Sequence, residues 1–230
     1  MDTTLITGAN RGIGLEFARQ YAADGWRVLA CTRHPQKSAA LNTLAAEYPG
    51  QITVHALDVA DHAQIEKLAR SLTDESIDLL LNNAGIYTSC HKDDNIDQEA
   101  WIRAFLINTI APLKMAQAFA PQIDCGSRKT IVAISSKMGS IADNSGGGSY
   151  IYRSSKAAVN MVIKSLAIDL KPAGIIAVVL HPGWVKTDMG GPNALISATK
   201  SVSGMRNVIR NLTLADSGRF IAYDGQMVPW

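Results

Sequence analysis

The run Thr3-Thr4-Leu5-Ile6-Thr7 passes directly into Gly8-Ala9-Asn10-Arg11-Gly12-Ile13-Gly14, and the helical spacing of Ile13, Phe17 and Tyr21 follows before a stop at Asp24-Gly25. A strand, a glycine-rich turn and a helix in that order let backbone N–H groups approach a pyrophosphate at a helix N-terminus, where the dipole favours negative charge. The glycine spacing is GxxxGxG and not GxGxxG, so the reading rests on the strand before the turn and the helix after it. Outward from this unit, short apolar runs recur at 27–32, 52–57, 77–82, 130–135 and 175–180, separated by stretches with helical spacing. Several are apolar on both faces, as strands are when helices cover both sides of a parallel sheet. The expected fold class is therefore α/β, a doubly wound parallel sheet.

The helices carry their own signals. Asp61 with Gln64 reads as a capping box. Val159, Val162, Ile163, Leu166 and Leu170 form one stripe that ends at Lys171-Pro172, with Gly174 just beyond. Glycine-rich segments at 143–149 and 190–193 are too short for interdomain linkers and are expected to be mobile active-site loops, within one domain over residues 1–230.

Composition narrows the function. Of 230 residues 47% are hydrophobic and 18% charged, with 22 Lys plus Arg against 20 Asp plus Glu, which excludes a disordered chain and offers no basic track for nucleic acid. Cys31, Cys90 and Cys125 form no CxxC pair and the five histidines no HExxH, so reduced thiols, no metal and a cytoplasmic location are expected. No apolar stretch approaches the ~18 residues of a membrane span, and Met1-Asp2-Thr3 does not open a signal peptide. The acidic stretch Asp93-Asp94-Asn95-Ile96-Asp97 reads as a solvated loop and helix start, not a metal site.

The second strand ends on Thr32-Arg33, where a site for NAD would place an acid against the ribose 2′-hydroxyl. An arginine there suits a 2′-phosphate. Arg11, a cation in the first turn of a helix, is disfavoured by about 0.3 to 1 kcal/mol and asks for an anion nearby. The expected cofactor is NADP(H). Tyr152 and Lys156 stand four residues apart on one helical face, where the cation is expected to lower the phenol's pKa from about 10. Tyr150 would sit roughly 200° around the helix from Tyr152 and has Ser154, not a lysine, one turn on. His181 is read as a satisfied structural residue.

In chain order, Thr7-Gly8-xxx-Gly12-x-Gly14, Asp58-Val59, Asn82-Asn83-Ala84-Gly85, Asn108, Ser136, Tyr152 with Lys156, and Pro182-Gly183 with Thr187 resemble the short-chain dehydrogenase/reductases over nearly the whole length. The resemblance implies a Rossmann-type sheet of about seven parallel strands and a catalytic tetrad of Asn108, Ser136, Tyr152 and Lys156. Tyr152 would be the general acid in reduction and the base in oxidation. Ser136, preferred over its neighbour Ser135, would hold the substrate oxygen. Lys156 would bind the nicotinamide ribose and lower the Tyr152 pKa. Cofactor contacts are implied for Gly8, Asn10, Arg11, Gly12, Ile13, Gly14 and Arg33, for Asp58 and Val59 at the adenine, and for Asn83, Ala84 and Gly85 on the adenosine side. Pro182, Gly183, Val185 and Thr187 would complete them, the last two at the carboxamide.

Asn108 lies four residues before Pro112 in a helical pattern from about 97 to 119, so the absent proline N–H leaves its carbonyl free. That carbonyl is expected to accept from a water that also contacts Lys156, opening a proton path from Tyr152 to solvent. The 16 positions from Ser136 to Tyr152 exceed the family's usual gap, and Gly146-Gly147-Gly148 fills them. Ile86, Ile141, Trp184 and Met189 are expected as apolar substrate contacts, with a substrate loop at about 187–206. The stretch from His181 to Gly191, with Asp224-Gly225-Gln226 and Pro229-Trp230, resembles the C-factor and sniffer-type carbonyl reductase branch, which implies NADPH-dependent reduction of a small carbonyl compound. The partners implied are that small molecule and, through the Tyr152 helix, a second copy of the chain, with neither nucleic acid nor membrane. A non-catalytic dinucleotide-binding signalling protein on the same fold is the alternative.

Overall fold

The computed structural model describes residues 1–88 and 96–230. Seven strands form one parallel sheet: β1 Thr3–Thr7, β2 Arg27–Thr32, β3 Ile52–Ala56, β4 Leu79–Asn82, β5 Thr130–Ile134, β6 Ile176–His181 and β7 Phe220–Ala222. Their order across the sheet is β3-β2-β1-β4-β5-β6-β7. This is the Rossmann-type α/β arrangement expected. The chain winds away from β1 in one direction and from β4 in the other, so the crevice beyond the carboxyl ends of β1 and β4 is the topological switch point where such sheets bind ligands.

Helices α1 Gly12–Ala23, α2 Ala39–Glu47, α3 His62–Ser71, α4 Gln98–Phe105, α5 Ala111–Ala118, α6 Ala120–Asp124, α7 Tyr150–Asp169 and α8 Ala198–Arg210 complete the described elements. Strand alternation sorts the core into two layers. Leu5 faces a cluster built with Ile65 of α3, Met115 of α5 and Ile163 of α7. Its neighbour Ile6 faces another, with Phe17 of α1, Leu44 of α2 and Met205 of α8. All five residues of β1 are buried, which is why the first run shows no polar face.

Several boundaries differ from the sequence reading. The run at 77–82 becomes a strand only from Leu79, because the Asp78 carboxylate collects N–H groups from Thr3 (2.8 Å) and Ser127 (2.8 Å) at the strand's start. Gln64 does not close a capping box: its Oε1 accepts from the Asp58 N–H (3.0 Å), while the Asp61 carboxylate alone caps α3 from Ala63 and Gln64. The long helical pattern breaks into α4, a π-helical segment Leu106–Ile110 and α5. Pro112 lacks the N–H that a continuous α-helix needs there. The end of the expected substrate loop at 187–206 is helical, since α8 begins at Ala198 with Ser197 as its cap. Asp97 caps α4, whereas Cys90, Asp93, Asp94 and Asn95 lie outside the described residues. Cys31 and Cys125 are free thiols. No helix among the described residues is long and apolar enough to cross a membrane.

Candidate active site

A cleft of about 490 Å³ opens along the carboxyl ends of the strands. Its floor at one end is the turn between β1 and α1. Gly8 and Gly12 adopt φ of +67° and +54°, a region that residues with a Cβ rarely enter. A Cβ on Gly14 would run into the Gly8 carbonyl and lie 2.5 Å from Asn83 Nδ2. Thr7 Oγ1 accepts from the N–H groups of Asn83 and Ala84 (both 3.0 Å), and Asn83 Nδ2 donates to the carbonyls of Thr7 (2.9 Å) and Gly8 (3.1 Å). The glycine turn and the segment after β4 are thereby one hydrogen-bonded unit, although 76 residues separate Thr7 from Asn83.

Gly8, Asn10, Arg11, Gly12, Ile13, Gly14, Arg33, Asp58, Val59, Asn83, Ala84, Gly85, Tyr152, Lys156, Pro182 and Thr187 all line this cleft. Gly183 and Val185 do not, nor do Asn108 and Ser136 of the expected tetrad. A Cβ on Gly183 would meet Ile196 and the Tyr223 ring, and Val185 is buried in a bridge with Ile196. Of the expected substrate contacts, Ile86 and Met189 line the cleft, whereas Ile141 and Trp184 stand off it, 79% and 51% exposed. The Trp184 indole is held by the Gly190 carbonyl at 2.8 Å. Arg11 precedes α1 as its N-cap residue, and the anion it meets is Asp188, at 2.5 Å. The anion that Arg11 asks for is thus met within the chain by Asp188, while Arg11 also lines the cleft. Lys37 was missed. It reaches the cleft beside Arg33 because a one-turn 3-10 helix, Pro35–Lys37, folds back at the end of β2, too short a feature to leave a periodicity.

At the other end, α7 presents Tyr152 and Lys156, both buried, while Tyr150 is exposed. Lys156 Nζ donates to the Ile134 carbonyl at 2.8 Å and lies 5.8 Å from the Tyr152 ring centroid. Burial pushes the Tyr152 phenol up to about 12 against the pull of a hydrogen bond from Ser136. Burial likewise pushes the Lys156 ammonium down to about 8. Burial thus dominates the phenol in place of the lowering expected from the lysine, whose ammonium is aimed at a backbone carbonyl and is itself desolvated.

Ser136 Oγ accepts from the Met138 N–H (3.2 Å), capping the turn Lys137–Gly139. Gly139 presses on the Lys156 backbone, where a Cβ would come within 2.7 Å, and its carbonyl accepts from Asn160 Nδ2 (3.2 Å). That docking brings Ser136 to Tyr152. Ser135 is buried and lines the cleft, but its Oγ donates to the Lys156 carbonyl at 3.4 Å. The buried Asn108 side chain is fully engaged: Oδ1 accepts from Ile86 N (2.9 Å), and Nδ2 donates to Ile86 O (3.0 Å) and Ser155 Oγ (3.0 Å). It joins the loop after β4, the π segment and α7. His181 Nδ1 accepts from the Lys137 N–H (3.2 Å), and burial lowers its pKa to about 4, leaving a neutral structural acceptor.

Residues 2–195 match the family described as short chain dehydrogenase, and the chain belongs to the short-chain dehydrogenase/reductase family. Within it, the C-signal of Myxococcus xanthus is 45% identical over 154 residues, covering 67% of this chain and 93% of that protein. The NADPH-bound carbonyl reductase from chicken fatty liver superposes with a TM-score of 0.94 at 37% identity, covering 100% of this chain and 99% of that one. The carbonyl reductase Sniffer of D. melanogaster does so with a TM-score of 0.94 at 31% identity, over 100% of both chains. These neighbours match the branch read from the stretch between His181 and Gly191.

Proposed function

We propose that this chain reduces a small carbonyl compound to an alcohol with NADPH, Tyr152 serving as general acid. The observation that carries the reading is a buried phenol beside a buried lysine at one end of a cleft whose other end is the glycine turn. The donor set fits a dinucleotide. Gly85 keeps the space beside Asn108 and Lys156 open, since a Cβ there would lie 3.3 Å from Asn108 Oδ1 and 3.6 Å from Lys156 Nζ. The turn from Gly8 to Gly14 would hold the pyrophosphate, Asp58 and Val59 the adenine, Arg33 with Lys37 the 2′-phosphate, and Thr187 the carboxamide.

NADPH, when bound, supplies the hydride. Tyr152 Oη supplies the proton to the carbonyl oxygen. Ser136 Oγ orients the same oxygen. Lys156 Nζ would bind the ribose hydroxyls. The Asn108 carbonyl, in the π segment, would hold the water through which Tyr152 recovers its proton from solvent. The names of the solved neighbours, both carbonyl reductases and one NADPH-bound, support the reading.

A screen of NADPH and NADH consumption across quinones, α-dicarbonyls, aldehydes and ketones tests it. Consumption with at least one class, and an NADPH KM about tenfold or more below that for NADH, is expected. Equal constants for the two cofactors would refute the role of Arg33. The similarity to C-signal favours a second reading, a chain that binds NADPH to signal without turnover. Binding with no consumption in any class is its mark.

A further inference from the structure

Tyr87 lies two residues beyond Gly85 on the loop after β4, and its ring meets that of Tyr152 edge-on, with centroids 4.9 Å apart and planes at 68°. Such T-shaped pairs are attractive and orient both rings. The Tyr87 hydroxyl also reaches Ser149 Oγ at 3.5 Å. Ser149 is the residue before α7, held at φ +45°, and its carbonyl accepts from the Arg153 N–H at 2.9 Å. One side chain therefore touches both the ring of Tyr152 and the start of the helix that carries it. Tyr87 is 42% exposed and belongs to none of the buried core clusters, whereas Tyr152 is 9% exposed. The contact is thus directed at the phenol and not at the core.

We propose that Tyr87 is a positioning residue for Tyr152: its ring fixes the orientation of the phenol and shields one side of it from water. The inference rests on the reading of Tyr152 as proton donor. The Tyr87 phenol also favours the neutral form of Tyr152, in the same direction as burial.

The test uses Tyr87→Ala, Tyr87→Leu and Tyr87→Phe in the full chain. Tyr152 ring-flip rates are read by NMR with labelled tyrosine, assigned with Tyr152→Phe, and kcat, KM and NADPH Kd are measured alongside. Tyr87→Ala is expected to speed the flip and lower kcat, each by about tenfold, with KM and Kd within about twofold. Tyr87→Phe should restore both, because the ring is retained. An unchanged flip rate in Tyr87→Ala, or the same loss in Tyr87→Phe, overturns the proposal. Should the alanine variant fail to fold, Tyr87→Leu decides by the same criteria. If the wild-type chain reduces no carbonyl compound, the reading of Tyr152 as donor fails by itself, while the flip rates still decide the Tyr87 contact.

Discussion

Lys156 is a buried ammonium held by the Ile134 carbonyl, and its desolvation opposes folding. Its pKa is about 8 in the folded chain against an ordinary 10.5. Between those values the unfolded chain holds more protons than the folded one, so this group makes stability rise with pH across that window, and below it the burial cost is present in full. Lys156→Met is expected to abolish that slope and to raise Tm by a few degrees at pH 7 while removing reductase activity, which calorimetry and an NADPH assay check together. A variant less stable than wild type at pH 7 would contradict this account. The pairing of Tyr152 with Lys156 was legible, because a four-residue spacing fixes a shared helical face. Their protonation was not, because it depends on burial by β5 and by the turn at Gly139, which no spacing within α7 reports.

Two short elements set the site. In the glycine turn, Gly14→Ala forces a Cβ against the Gly8 carbonyl and Asn83, so a loss of about 1 to 3 kcal/mol in a urea titration and of NADPH affinity is expected. Gly146→Ala is the control, since its Cβ would meet only the Arg153 guanidinium, at 3.9 Å, and stability should hold or improve by up to about 1 kcal/mol. The strand, turn and helix around these glycines were readable from the chain alone because their contacts are local. The interruption near Asn108 was readable from Pro112, yet its π-helical form was not, since it depends on the Asn108 side chain bridging Ile86 and Ser155. Lys37 and the three residues of β7 belong to elements too short for any period.

Across the whole molecule, the strand order places the glycine turn, the segment after β4 and α7 around one crevice. The fold class followed from the sequence of elements, whereas the placement of Ile141 and Trp184 off the cleft depends on how loops pack, which apolar character does not encode. The Arg11–Asp188 pair joins the glycine turn to the segment after β6, with both side chains more than half exposed, so its contribution to stability is small. Asp188→Asn should leave Tm nearly unchanged but tighten NADPH binding by about threefold at low salt, with the gain fading as ionic strength rises. Fluorescence titration at two salt concentrations measures it, and weaker binding would show that Asp188 supports the site.

The most direct trial of the central claim is Tyr152→Phe, measured for NADPH consumption with a carbonyl compound that the wild-type chain reduces and for NADPH Kd. The proton-donor account predicts a fall in kcat of about a thousandfold or more with Kd within about twofold. Turnover within about tenfold of wild type at unchanged Kd would contradict it.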